Sequence, residues 1–551
     1  MEILLTILIL TLVVSLTSVL TRLSPVQIPL PLIQIAAGAV LAQPIFGLHV
    51  EFNPELFLLL FIPPLLFAES SKIQPKELIK HSREIISLAL VLVLITIFGV
   101  GYVIHLLLPN VPLIAAFALA AVLSPTDAVA LLGIVGKGRI SKNIQEVLEG
   151  EALMNDASGL VALKFAVAVT MGTMEFSVHG ATIAFFVVAL GGIAVGIAVT
   201  WLYGKGLLLI SRYAHDEPSI QIVLMLLLPF IVYLVAEHFG LSGILAAVAA
   251  GLTTSRIGVV HHAPIRLRIK AKSSWSMLEY VFNGMVFLIL GLQLPGIISE
   301  SLIRAENDPL VDTGSLLLDV IWIYLALMVV RLGWLWLMRL YSRKRPGKHP
   351  MMLFAGYKTR HMLLATFAGV RGAITLAGVL SIPLLLPDGT PFPGRYLLVF
   401  LATGVILFSL VCGIIILPLL LGKNVGIFSD NRQKEEEAAD LFMAKMAILS
   451  VQKTEQRLLR ARTENLDNEL IMETGARVIG YMRHSEEDMS PNDNSLHMQR
   501  AKLERTFNLA ALNAKRAAIY QMRARQEVSD ETLAKIVSEL DVLETLIMDS
   551  R

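Results

Sequence analysis

Three stretches of otherwise apolar sequence hold ionisable residues: Asp127, the pair Glu151 and Asp156, and Arg371. A charged side chain at the centre of a bilayer costs at least about 2.5–3.5 kcal/mol, so residues kept there are expected to have a partner or a task. Asp156 is the first candidate. A carboxylate in that setting binds one cation or one proton, and the two occupancies exclude each other. That competition is the simplest chemistry for exchanging one for the other. Asn155 is a neutral amide beside it, so only one of the pair titrates, and one proton for one monovalent cation moves no net charge. Upstream, Pro125 removes a backbone donor and clashes one turn back, so its helix is expected to break there. Thr126 and Asp127 sit at the break, among freed carbonyls. Oxygen donors of this kind replace the water around a hard cation such as sodium. A structural reading stays open beside this one, in which Asp127 caps the broken half-helix.

Arg371 lies between Gly369 and Gly372, which weaken the helix and let another backbone approach. An arginine in lipid needs a partner. Glu151 is the acid of the same segment left over once Asp156 goes to the ion. A buried Glu151–Arg371 pair is therefore expected to hold the core together, although Arg371 could also compete directly with the proton. Glu151 and Asn155 are four apart and share a helical face, while Asp156 points elsewhere.

The elements that must position these residues are membrane helices. Hydrophobic residues make up 55% of the 551 and charged ones 16%, against about 25% charge in soluble domains. Apolar runs of about 20 residues recur from Met1 to about Leu421, enough for about 13 spans. Met1–Leu20 has no basic leader and reads as a first helix. Asp127 falls in the fifth span, roughly 111–136, Glu151 and Asp156 in the sixth, roughly 147–172, and Arg371 in the twelfth, roughly 359–386. One set of alternate loops carries about 22 Lys and Arg, the other about two (Arg304 and Arg395), which places the N-terminus outside and the C-terminus in the cytoplasm. The single Cys412 leaves no disulfide framework or thiolate metal site, and the net charge of +2 gives no sign of a nucleic-acid partner. From about Asn424 the composition turns charged and helix-forming, with apolar residues at helical spacing over Lys434–Arg460 and Ser529–Met548 and a loop at Glu486–Ser495. The chain is thus read as a transmembrane domain, 1–423, and a cytoplasmic helical domain, 424–551.

The fifth and twelfth spans, both interrupted by helix breakers, occupy corresponding places in spans four to six and eleven to thirteen. These two groups run in opposite senses through the membrane. Paired broken helices in inverted halves point to a transport site near the midplane. The expected fold is an all-α polytopic membrane protein with inverted repeats and two broken, crossing helices.

Ser-Pro-Thr-Asp-Ala-Val-Ala at 124–130, Glu-Ala-Leu-Met-Asn-Asp at 151–156 and Gly-Val-Arg-Gly-Ala-Ile at 369–374 resemble the monovalent cation:proton antiporter-1 family. That family includes bacterial NhaP-type exchangers and animal plasma-membrane sodium/proton exchangers. The resemblance covers the membrane part and leaves out the tail. It implies an NhaA/NhaP-like homodimer in the bacterial inner membrane, each protomer with a dimerisation domain and a core that moves as an elevator. By position, Asp156 is similar to the family's ion-binding and protonating aspartate and Asn155 to its asparagine partner. Thr126 and Asp127 resemble the residues that ligate or position the monovalent cation. Glu151 and Arg371 resemble the core ion pair. The Asn-Asp pairing implies electroneutral exchange. Ala152 stands where some NhaP-type members place a serine ligand, so water or another residue must replace that hydroxyl.

Other polar residues say less. Glu69 follows Pro63-Pro64 near the cytoplasmic end of span three and resembles an acidic funnel residue, or is an interfacial carboxylate with no role. Glu237 and His238 read as parts of a tight outer hairpin. Lys164 is expected to snorkel or pair with an acid, and Arg331 to reach headgroups from the cytoplasmic end of span eleven. No nucleophile–base pair, metal cluster or phosphate loop suggests an enzyme or a cofactor. A cation channel would share the spans, but channels repeat a filter or ring a pore with acids. The expected substrates are protons with sodium or lithium, and potassium is the rival that Ala152 keeps open.

Overall fold

The computed structural model describes residues 2–23, 29–43, 53–73, 79–136, 139–140, 142–172, 178–213, 218–257, 265–306, 313–344 and 359–421, with parts of 446–544. The chain separates into two packed units, Met1–Asn424 and Val425–Arg551.

Unit one is helical. Its elements are α1 (Glu2–Leu23), α2 (Leu30–Leu41), α3 (Pro54–Lys72), α4 (Ser82–Leu107), α5 (Leu113–Leu123), α6 (Ala128–Val135), α7 (Lys142–Thr170) and α8 (Val178–Tyr213). There follow α9 (Pro218–His238), α10 (Gly243–Ile257), α11 (Ile265–Glu306), α12 (Thr313–Lys344), α13 (Thr359–Phe367), α14 (Ala373–Leu380) and α15 (Arg395–Leu421). Among the described residues, nine helices are long and apolar enough to cross a membrane, and α5 with α6, bent by 47° at their break, makes a tenth. The expected total of about 13 spans therefore turns on the shorter apolar helices α2 and α10 and on the interrupted pair α13–α14. The tenth expected span is extended well beyond its apolar core, into a 42-residue helix, α11.

Local chemistry explains where these helices start and how closely they pack. The Asn53 side chain accepts from the Glu55 and Leu56 N–H groups at 3.0 and 3.1 Å, satisfying donors that the first turn of α3 leaves unpaired. Lipid tails are as apolar as leucine, so small residues that admit close backbone contact drive helix association. At the α2–α11 crossing a Cβ on Gly38 would lie 2.1 Å from Leu288 O, and one on Gly291 would lie 2.1 Å from Ile35 O. α5 is buried from Ala115 through Leu123, as expected of a helix that is apolar all round. Its central position fixes the break that follows it. One packed group holds α1–α3 and α8–α11, and another holds α4–α7 and α12–α15, with α3 and α11 meeting α14 and α15 between them.

Unit two contains a helical stretch over 508–522 that the apolar spacing of the sequence did not single out. Arg516 there reaches Asp541 at 2.6 Å and also Glu544. Of the expected segment Lys434–Arg460, residues 446, 448–453, 455–457 and 459 are helical. Residues 529–535 and the expected loop 486–495 lie outside the described residues.

Candidate functional site

The two breaks meet. After α5, Pro125 interrupts the helical bonding, and α6 begins with Asp127 as its cap, its Oδ1 accepting from the Ala130 N–H at 2.8 Å. The second break lies between α13 and α14, at residues 368–372. Backbone groups freed at one break are taken up by the other. The Asp127 N–H donates to Val370 O at 2.7 Å, and Arg371 Nε donates to Leu123 O at 3.1 Å. Arg371 also donates to Gly369 O, while its own N–H donates to Ser409 Oγ at 3.1 Å. The arginine thus neutralises the carbonyl end of α5, where the helix dipole is negative.

Gly372 makes the crossing possible. A Cβ there would stand 1.7 Å from Asp127 Oδ2 and 2.5 Å from its Cγ. Asp127 cannot retreat without losing its cap bond. Gly372→Ala is therefore expected to cut transport by about 5- to 100-fold, because overpacking of a close-packed site costs about 1–3 kcal/mol and each 1.4 kcal/mol is tenfold. Proton flux per reconstituted transporter measures this, and a wild-type rate would show that the two breaks need not touch.

α7 supplies the other wall. Asn155 Nδ2 donates to Thr126 Oγ1 at 2.9 Å, and the Thr126 N–H faces Asn155 Oδ1 at 3.5 Å. These bonds hold the first break against α7. Asp156, only 6% exposed, makes no hydrogen bond or ion pair to a described residue. The carboxylates whose fields reach it are those of Asp127 and Glu69. Asp156, Asp127, Thr126 and Glu69 line one cavity of about 50 Å³, together with Ala152, Asn283 and Thr375. Sequence reasoning placed the first four; the structure brings them together. Ala152 and Asp156 share the cavity-facing side of α7, so a serine at 152 would have put its hydroxyl in the cavity. Asn155 braces the site through Thr126.

The expected Glu151–Arg371 pair is corrected. The partner of Glu151 is Arg331 of α12, whose Nη1 and Nη2 donate to the two carboxylate oxygens, the second at 2.8 Å. Arg331 Nε donates to Ala365 O at 3.0 Å. Glu151 is 1% and Arg331 4% exposed, so Arg331 does not reach headgroups. The physical reason is donor geometry: the planar fork of Arg331 meets the carboxylate bidentately, while Arg371 is directed at the backbone carbonyls of Leu123 and Gly369. Asn283 and Thr375 were given no role and Arg331 a different one, and the structure places all three at or beside the site. Asn283 is a polar residue inside an apolar run, a signal that was present; Thr375 stood inside the motif already quoted; the role of Arg331 had no sequence signal that set it apart from Arg371.

Lys164, by contrast, pairs with Glu237, its Nζ donating at 3.0 and 3.1 Å, and Glu237 also accepts from the Gly243 N–H at 3.3 Å. The side chains are 64% and 31% exposed, and pairs in that setting contribute about 0–1 kcal/mol. Lys164→Ala is expected to shift the melting temperature by no more than a few degrees; a large fall would mean the pair is shielded from solvent.

A family profile described as "Sodium/hydrogen exchanger, transmembrane" matches residues 8–422. The chain is 58% identical over 550 residues, all of both chains, to an Escherichia coli (strain K12) protein named "Uncharacterized Na(+)/H(+) exchanger YjcE". It is 36% identical over 558 residues to the "Sodium, potassium, lithium and rubidium/H(+) antiporter" of Bacillus pumilus (strain SAFR-032), covering all of this chain and 79% of that one. The structure of the sodium proton antiporter MjNhaP1 from Methanocaldococcus jannaschii, 19% identical, superimposes with a TM-score of 0.56 over 77% of this chain and all of that one. That likeness carries the fold: helices in the antiporter arrangement. With a match that spans the membrane unit from α1 to α15, the chain is a multi-span membrane protein of the sodium/hydrogen exchanger family, whose members are transporters and not enzymes.

Proposed function

We propose that the protein is an electroneutral antiporter that exchanges sodium or lithium for protons by alternating access, with Asp156 carrying cation and proton in turn. The observation that carries this reading is the cavity in which the Asp156 carboxylate faces Asp127 and Thr126 at the crossing of the two broken helices. An empty, charged Asp156 is costly to move through lipid, so each crossing needs a cation or a proton. Glu69 lines the same cavity and serves as the acidic approach to it. The neutral Asn155, tied to Thr126, adds no second charge, which makes the exchange one for one. The inner membrane of a bacterium is the proposed location, with the N-terminus outside and unit two in the cytoplasm. The proposed assembly is a homodimer of such protomers, with unit one divided into a dimerisation part and a moving core.

A second reading, potassium/proton exchange, is favoured by one observation: Ala152 faces the cavity with a methyl group where a hydroxyl would tighten the site around a small ion. Proton flux in proteoliposomes, with sodium, lithium and potassium added in turn and the voltage clamped, separates these. Sodium-evoked flux that is insensitive to voltage supports the first reading. A response to potassium alone moves the substrate to that ion. Current without coupled proton movement would mean a channel.

A further inference from the structure

The cavity has a wall that belongs to neither broken helix. α11 presents Asn283, Val286 and Phe287 to it, positions at helical spacing on one face. The adjoining face of α11 is fixed. A Cβ on Gly284 would lie 2.4 Å from a Val14 methyl and 2.9 Å from Gln34 Nε2, and Gly291 is in backbone contact with α2. α11 is therefore held against α1 and α2 along one face while the adjoining face borders the cavity that Asp156 also lines. Asn283 is the polar side chain it brings to the cavity, and its amide makes no hydrogen bond to a described residue.

An asparagine carbonyl is a neutral oxygen donor with two lone pairs, and its NH₂ group is a donor. Across a narrow cavity from a carboxylate, such an amide has two uses. Its Oδ1 completes the oxygen shell of a cation held by Asp156, Asp127 and Thr126. Its Nδ2 donates to the carboxylate when no cation is present. The other amide near the site, Asn155, is already committed to Thr126, and Ala152 contributes nothing polar.

We infer that Asn283 is a specificity-determining residue of the transport site, supplying from the cavity-lining face of α11 a cation ligand that Ala152 lacks. This rests on the proposed exchange at Asp156. A donor fixed on α11 favours the ion whose size matches the gap between it and the carboxylates, so it sets the ratio of sodium to potassium affinity. Its removal leaves the proton reaction at Asp156 in place.

The test compares wild type, Asn283→Ala and Asn283→Gln in proteoliposomes, with the apparent KM for sodium, lithium, potassium and rubidium measured at fixed pH and the maximal rate measured at saturation. In Asn283→Ala the KM of the preferred cation is expected to rise about tenfold, the size of losing one hydrogen-bond-strength contact to a charged group, while the KM of the least preferred cation moves by less than about threefold. The maximal rate is retained. Asn283→Gln, with the same group on a longer stem, is expected to restore binding and shift the preference between cations. A uniform rise for every cation, or no change in any, would overturn the assignment. Loss of folding in Asn283→Ala is read from the melting temperature, and Asn283→Gln then carries the comparison alone. If the wild type itself exchanges no cation for protons, the failure lies with the proposed function; if it exchanges normally and the cation ratios of both variants match it, the failure lies with Asn283.

Discussion

Replacing Asp156 by asparagine is expected to reduce cation-evoked proton flux to that of protein-free vesicles, without lowering the melting temperature. The two side chains have the same shape, so the packing around residue 156 is preserved. What disappears is the charge that binds the cation and the site that takes the proton. Asp156 is 6% exposed, makes no ion pair to a described residue and lies within the fields of two further carboxylates, Asp127 and Glu69. Removing a buried charge in that setting relieves repulsion and a desolvation cost, so the variant should melt at or above the wild-type temperature. The pairing of lost transport with retained fold is the distinctive result. Wild-type flux in the variant would remove Asp156 from the mechanism. A collapse in melting temperature would make it a structural residue. In the wild type, competition of proton and cation for one carboxylate has a further consequence: the apparent KM for the cation rises as pH falls, because protons occupy a larger share of the sites.

The largest effect on stability is expected at Glu151 and Arg331. Removing one partner of a buried pair costs about 3–5 kcal/mol, because the other charge stays behind unpaired. Glu151→Leu and Arg331→Leu should each lower the melting temperature steeply. The double variant should recover much of the loss, since well-packed apolar side chains are often as stable as the pair they replace. A double-mutant cycle isolates the coupling between the two. The same cycle on Glu151 and Arg371 is expected to give a clearly smaller value. Arg371 donates to Leu123 O and Gly369 O, and those carbonyls remain whatever stands at 151. Equal coupling in the two cycles would contradict the bidentate contact seen for Arg331, and additive single effects at 151 and 331 would mean that no coupled pair exists.

Much of this was legible in the sequence for simple reasons. Helix length is fixed by the thickness of the hydrocarbon layer, so apolar runs announce themselves. The cost of charge in lipid is so high that Asp127, Glu151, Asp156 and Arg371 stood out by being there at all. Proline chemistry located the first break at Pro125 without reference to anything outside its own helix, and the structure bends the chain there by 47° between α5 and α6. The capping role of Asp127 and its place at the cavity, two readings that can coexist, are both present. One carboxylate oxygen caps α6, and the other approaches Gly372.

Pairing across the bundle was decided by the tertiary structure alone. A sequence shows that Glu151 needs a cation and that Arg331 and Arg371 are available. It does not show which guanidinium points at it, because that depends on the rotation of α12 about its axis, on the path of the chain through the break between α13 and α14, and on which backbone carbonyls are left without donors. The structure resolves the choice by hydrogen-bond accounting. The break after α5 leaves Leu123 O to be satisfied, Arg371 is the group that reaches it, and Glu151 falls to Arg331. Asn283 shows the same limit. Its polarity within an apolar run was visible, but only the packing of α11, with Gly284 and Gly291 against α1 and α2, sets it in the lining of the cavity that Asp156 shares. The sequence by itself determined the elements and the reactive groups, since both follow from local transfer energies. The contacts between them follow from rotations and close approaches of whole helices, which no local energy specifies.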